Sequence, residues 1–258
     1  NPNIFVPTTQ ADLSNGSNAN KIASIQSNIT LTSNLTLASG LIIRQDGGHI
    51  ILNGFDIIGD LSQTFEVRNE EVIFDCSQTG TVTGLTPPTS FYITNFGAIN
   101  DGVDHRTAFT MDKSGTGSIT NGSTTLVVSD ANFDASRVGQ KIIVFNANTV
   151  TEEDALHTTI ASVTNPTTVE LSDAANATVS DTRVFYGTDN YNTIYQALTN
   201  TRNNKSGDLI FPEGHYMTST IEKTDPAAQQ QDGFLIGDGT DSVNVIGHGA
   251  TLQAFAFD

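Results

Sequence analysis

Three groups of neighbouring carboxylates have the residue types for acid–base chemistry: Asp101 with Asp104, Asp238 with Asp241, and Glu152 with Glu153 and Asp154. Glycoside hydrolysis needs two carboxyl groups about 5–9 Å apart across a sugar. Neighbours in sequence are not thereby a spatial pair, and each group has a simpler account. Asp101-Gly102 and Asp238-Gly239 are turn signals. Asp104 stands where a helix cap would, and Glu152 to Asp154 fall in a polar loop. A uronate lyase would need a Lys, Arg or His base and charge neutralisation at the sugar carboxylate. His105, His157, His215 and His248 are scattered, with no H-x-x-x-H pair to suggest zinc. The run Asn100 to Asp104 lacks the ligand spacing and closing Glu of a calcium loop. Gly237-Asp238-Gly239 and Gly247-His248-Gly249 lack the Lys and Ser/Thr of a phosphate loop and read as tight turns. Catalytic residues stay unassigned, and neither a metal nor a cofactor is expected.

The composition restricts the partners. Acidic residues outnumber Lys and Arg by 28 to 11, for a formal charge of −17. Such a surface repels phosphate backbones, which argues against nucleic acid. It also repels polyanionic glycans unless a cation or a local basic groove intervenes. The plain reading of the charge is a solvated face that keeps an extracellular protein in solution. No apolar run approaches the ~20 residues of a membrane-spanning helix. The single Cys76, in the apolar run Val72-Ile73-Phe74-Asp75-Cys76, excludes an intrachain disulfide and suits a buried thiol. Six Asn-x-Ser/Thr sequences, at Asn15, Asn28, Asn34, Asn121, Asn176 and Asn204, need no more explanation than a chain rich in Asn, Ser and Thr.

Elements that would position any site are short and numerous. Only 15% of residues are charged, and Asn, Thr, Ser and Gly carry the polarity. That mixture favours strands and turns over helices. Residues 1–20 read as a flexible arm or linker. From Ile29 to Ile58, apolar runs recur every five to nine residues: Ile29-Thr30-Leu31-Thr32, Leu35-Thr36-Leu37, Leu41-Ile42-Ile43, Ile50-Ile51-Leu52 and Phe55-Asp56-Ile57-Ile58. The pair flanking Asn53-Gly54 fits a hairpin. The whole series also fits successive sides of solenoid coils. Residues 21–90 are read as such a module.

A new unit starts at Phe91. Phe96-Gly97-Ala98, followed by Asp101-Gly102-Val103-Asp104, resembles the opening of pectate-lyase-like parallel β-helix domains, which occur in phage tail spikes and secreted glycan enzymes. Two further landmarks follow in order: Phe211-Pro212-Glu213-Gly214-His215-Tyr216, then Val243-Asn244-Val245-Ile246-Gly247-His248-Gly249-Ala250. The family's capping helix, begun at Asp104 and broken by Ser114-Gly115-Thr116-Gly117, resumes at Asp189 to Leu198. Asp189 is placed to cap it, with Tyr191, Ile194, Tyr195 and Leu198 as its apolar face. Residues 91–111 and 187–258 are thus read as the start of a β-helix. Residues 112–186, with five β-branched runs split by turns, form an inserted small antiparallel barrel or sandwich. Such inserts occur at this point in tail-spike-like chains.

The fold expected is all-β: a right-handed parallel β-helix with a capping helix and an inserted antiparallel β domain. The resemblance implies a tail-spike-like or cell-surface protein, extracellular or in a virion tail, homotrimeric, within a larger assembly, and presenting a polysaccharide-binding surface. A secreted polysaccharide lyase or glycoside hydrolase of the same fold is one alternative, and a non-enzymatic carbohydrate-binding module is another. In this family the sugar-handling groups generally lie on later coils. The chain begins at Asn1 rather than Met and ends on an apolar stretch, so the native polypeptide is expected to continue.

Overall fold

The computed structural model describes residues 3–68, 70–105, 114–148, 155–203, 208–218, 244–247 and 250–254. They fall into two compact units. One comprises Asn1–Ile99, Asn190–Glu213 and Phe234–Ala250, and the other comprises Asn100–Asp189, Gly214–Gly233 and Thr251–Asp258.

The first unit is a parallel β-helix. Its leading strands are β1 (Ile4–Phe5), β2 (Ile22–Ile25), β3 (Ile29–Thr30), β4 (Leu35–Thr36), β5 (Ile42–Gln45), β6 (Ile50–Ile51), β7 (Ile57–Glu66), β8 (Phe74–Asp75), β9 (Val82–Thr86) and β10 (Ser90–Tyr92). On one face Ile4, Ile22, Ile42 and Thr64 lie in register on β1, β2, β5 and β7, all parallel. On a second, Ile29, Ile50 and Phe74 do the same on β3, β6 and β8. On a third, Leu35, Ile57 and Val82 stack on β4, β7 and β9. Ala23, Ile43 and Phe65 are buried on the first face, and on β3 and β4 the buried Ile29 and Leu35 alternate with the exposed Thr30 and Thr36. The two residues of Asn53-Gly54 have φ of 52° and 85°, as in a hairpin turn. Yet β6 and β7 do not pair with each other. Each strand pairs with neighbouring coils, and the turn bends the chain from one face to the next.

The abundance of Asn and Asp has a structural cause. At the corners, Asn28 Oδ1 accepts the His49 N–H, Asn34 Oδ1 the Asp56 N–H, and Asp56 Oδ1 the Thr81 N–H, across 21, 22 and 25 residues. A short side-chain acceptor there satisfies the backbone donor that the next coil leaves unpaired. Residues 4–18, which composition suggests as an arm, carry β1 and a short helix α1 (Gln10–Ser14). Leu13 of α1 is fully buried, its carbonyl accepts the Ala38 N–H, and Gln10 Oε1 accepts the Thr32 N–H.

The second unit is antiparallel. Its strands are β11 (Val103–His105), β12 (Ser114–Ile119), β13 (Thr125–Val128), β14 (Lys141–Val144), β15 (Leu156–Asn165), β16 (Thr168–Leu171), β17 (Val179–Thr182) and β18 (Val184–Gly187), in the order β11-β18-β14-β15-β16-β13-β12-β17. The long β15 pairs with β14 through Thr159 and with β16 from Ile160, bending at an irregularity between Ile160 and Ser162. Buried residues from six of these strands, among them Leu126, Ile142, Leu156, Val169, Val184 and Tyr186, form one apolar core.

After β18 come the helix α2 (Tyr191–Asn203) and strands β19 (Asp208–Phe211), β20 (Gly214–Thr218), β21 (Asn244–Gly247) and β22 (Ala250–Ala254). In the β-helix, β10, β19 and β21 form a parallel sheet with Phe91, Leu209 and Val245 in register. The face that α2 buries differs from the apolar stripe expected. Ile194, Ala197 and Leu198 are buried, but so are Thr193, Gln196 and Asn200, whereas Tyr195 is 42% exposed and stacks on Tyr191. The surface beneath explains it. Gln196 Oε1 accepts the Val82 N–H, Asn200 donates to the Val82 carbonyl, and Asn192 donates to the Cys76 carbonyl. The helix covers the open edge of β9, and a strand edge needs amides rather than apolar groups.

Phe65 sits against Phe74, Phe91 and Phe96, with ring centroids 5.4, 5.9 and 6.0 Å away. Phe65→Ala should cost about 3–5 kcal/mol through the cavity it leaves, read as a lower denaturant midpoint with an unchanged slope.

Candidate functional site

The conspicuous carboxylates are held by backbone and side chains of the second unit. Asp101 Oδ1 accepts the Thr188 N–H at 2.8 Å, and Oδ2 accepts the Thr188 hydroxyl at 2.8 Å and the Gln140 amide at 2.6 Å. Arg137 approaches the same carboxylate at 3.8 Å. Asp104 lies on β11 rather than capping a helix, and it grips Arg183 through two bonds, Nε–Oδ1 at 2.9 Å and a terminal nitrogen–Oδ2 at 2.8 Å. That pair is 6% and 15% exposed, and the guanidinium also lies 5.0 Å from the centroid of Phe145. Both aspartates therefore join the two ends of the antiparallel unit.

The other motif residues are also placed by the backbone. Phe96 is fully buried and ends a 3-10 turn, Ile93–Phe96, that Gly97 closes at φ 92°. The Gly102 N–H donates to the His215 carbonyl. Gly214, at φ 146°, passes so near Asn100 that a Cβ would lie 2.6 Å from the Asn100 Cβ. Asp189 makes a backbone bridge to Met217. The residue directly before α2 is Asn190, whose carbonyl accepts the Ile194 N–H and whose side chain clamps both backbone groups of Ile99. Pro212 is buried, and Gly247 ends β21 exposed. Gly249, His248, Asp238, Asp241 and Glu152 to Asp154 lie outside the described residues. Among the described residues, no group of three or more His, Cys, Asp or Glu is placed to hold a metal ion.

One histidine has an acid partner. His105 Nδ1 lies 2.8 Å from Asp130 Oδ1, and the Thr116 hydroxyl bonds the same oxygen. The ring stacks on Tyr186 at 5.6 Å. A nucleophile would have to sit on the opposite ring nitrogen. That nitrogen is buried and has no partner among the described residues, so the pair fixes β11 to the loop at Asp130. Cys76 is fully buried, and desolvation, reinforced by Asp75, pushes its thiol well above the usual range.

A different arrangement emerges on the β-helix face formed by β2, β5 and β7. Ser24 and Arg44 are register partners, as are Arg44 and Glu66. Two residues further along each coil come Gln26, Asp46 and Arg68. Six polar side chains from three successive coils thus form a two-by-three grid. Asp46 is its hub: Oδ2 accepts Ser24 Oγ at 2.5 Å and Arg44 Nε at 2.7 Å, while Oδ1 lies 3.5 Å from Arg68. Gln26 donates to Ser24 Oγ at 3.2 Å. Asp46 is 15% exposed, Arg44 30% and Arg68 73%. The Ser24 hydroxyl, with the two arginines, lowers the Asp46 carboxyl below the ordinary value of 3.8, against an opposing effect of burial. The grid holds guanidinium, carboxylate and amide groups at fixed spacing, which is what recognition of hydroxyl-rich ligands requires. Sequence inspection missed it because its members are 20 and 22 residues apart, a period visible only once the coil registers are known.

No protein-family model and no curated protein sequence matches the chain. Among solved structures it is similar to the Gp54 tailspike of Acinetobacter baumannii bacteriophage AP22 in complex with A. baumannii capsular saccharide, at 11% sequence identity and a TM-score of 0.25. The match covers 90% of this chain and 30% of that one. The parallel β-helix itself rests on this chain's own strand registers.

Two outcomes follow. Asp104→Ala should cost about 3 kcal/mol, because it strands Arg183 in a largely buried site, and chemical denaturation would measure the loss. The Asp46 carboxyl, lowered in the folded state, stabilises the grid above pH 3.8, and this contribution is lost as pH falls through the lower folded value. NMR titration should therefore place its midpoint below 3.8.

Proposed function

We propose that this chain is the structural and attachment part of a tail-spike-like or cell-surface β-helix protein, and that it presents a polysaccharide-binding surface. The observation that supports this most directly is the polar grid on one face of the β-helix, in which the buried Ser24 and the partly buried Arg44 and Asp46 are flanked by the exposed Gln26, Glu66 and Arg68. Backbone ladders fix the spacing of its rows, and the bonds of Asp46 to Ser24 and Arg44 hold those side chains, so they have less entropy to lose when a sugar docks. Asp101 and Asp104 are already engaged in holding the second unit, which favours binding over cleavage. In this reading the protein is extracellular or part of a virion tail, assembles as a homotrimer, and joins a larger assembly.

The test is retention of the full chain on a panel of immobilised neutral and acidic polysaccharides. The expected result is retention on at least one of them, relieved by the same polysaccharide in solution. Asp46→Ala should weaken that binding about tenfold or more, because it frees both arginines from the geometry that Asp46 imposes. A natively folded chain retained on none of the panel would overturn the reading. A monomer in sedimentation analysis would remove the trimer from it.

A further inference from the structure

We infer that the grid takes an uncharged sugar, through vicinal hydroxyls that bridge the Arg44 guanidinium and the Glu66 carboxylate, so that the polysaccharide bound is neutral. The inference rests on the polysaccharide-binding reading above and assigns the glycan class.

Both oxygens of Asp46 are engaged, one by Ser24 and Arg44 and the other by Arg68. Arg44 uses Nε for that contact, and its two terminal nitrogens have no protein partner among the described residues. A guanidinium held at one edge presents its remaining N–H groups in a fixed plane. Glu66 is its Cα partner on the next coil, about 4.8 Å away across the sheet. Glu66 is exposed, and among the described residues no ion pair within 4.0 Å joins it to Arg44. An oriented donor and an open acceptor therefore stand side by side. A hydroxyl both donates and accepts, so two adjacent hydroxyls satisfy both groups at once.

Charge then decides against an acidic glycan. Arg44 and Arg68 carry two positive charges, and Asp46 and Glu66 carry two negative ones, so the grid has no excess of cations. Glu70 and Glu71 follow Arg68, and the chain as a whole carries −17. A polyanion would meet repulsion here with no net local attraction to offset it. A neutral chain meets none, and its binding is independent of salt.

The discriminating pair of probes is polygalacturonate and its carboxyl-reduced form, which differ in charge, supplemented by mannan, dextran and galactomannan. Binding of the full chain is measured by affinity electrophoresis and calorimetry at 50 and 500 mM salt (roughly a threefold span in screening length). The inference expects binding to at least one neutral polysaccharide, at least tenfold weaker binding to polygalacturonate than to its reduced form, and less than a twofold change with salt. Arg44→Ala and Glu66→Ala should each lower the neutral-glycan affinity about tenfold. Glu66 is exposed, and an unchanged melting temperature for that variant separates lost recognition from lost folding. Tighter binding to polygalacturonate, or a steep fall with salt, overturns the neutral assignment and leaves the polysaccharide reading standing. Neutral binding unaffected by either substitution removes the grid as the site. Binding to none of these probes overturns this inference, and only failure on the wider panel takes the underlying reading with it.

Discussion

A stack of parallel coils ends, at each side, in a row of backbone donors and acceptors with no strand to meet them. Leaving them open invites another chain to pair there, and burying them unpaired costs more than a hydrogen bond returns. At one edge Gln10 supplies its side-chain oxygen to Thr32, and the Leu13 carbonyl takes the Ala38 N–H. At the edge of β9, Gln196 and Asn200 meet both backbone groups of Val82, while Asn192 reaches the Cys76 carbonyl. The same device operates inside the stack, where Asn28, Asn34 and Asp56 each accept a donor of the following coil. The composition, poor in charge and rich in short polar side chains, is the signature of that requirement.

Strands β3 to β6 were legible because each lies in a short apolar run bounded by turn residues, and their close spacing is hard to reconcile with hairpins alone, whereas β1 fell in the stretch read as an arm and β2 and β9 outside the named runs. The face of α2 was not legible. Helical periodicity scores Tyr191 and Tyr195 as core because they are large and apolar, but the surface the helix meets is a strand edge made of peptide groups. Asn192, Gln196 and Asn200, spaced at four residues, match that surface. Their pattern looks like an ordinary polar face until the partner is known. Asp104 escaped for a related reason. Its partner Arg183 is 79 residues away in sequence, so the local reading as a helix cap had nothing to compete with it. The grid around Asp46 needed the coil length before its members could be seen as neighbours.

The second unit repeats the lesson about carboxylates. Asp101 and Asp104 sit where chain enters the antiparallel sheet, and Arg183 and Thr188 sit where it leaves. An insertion is a loop whose ends must be brought together, and closing it costs entropy that grows slowly with length. Charge-assisted bonds at the neck hold the ends in place, and the apolar core around Tyr186 then stabilises what lies between.

The amide contacts of α2 also determine where the protein tolerates change. On β9, Gln196 and Asn200 meet the peptide groups of Val82, and peptide groups are the same whatever side chain stands there. The helix contacts thus place no demand on the outward side chains of β9, whereas the helix itself must keep its amides. In such a joint the record of the strand's geometry is written in the helix.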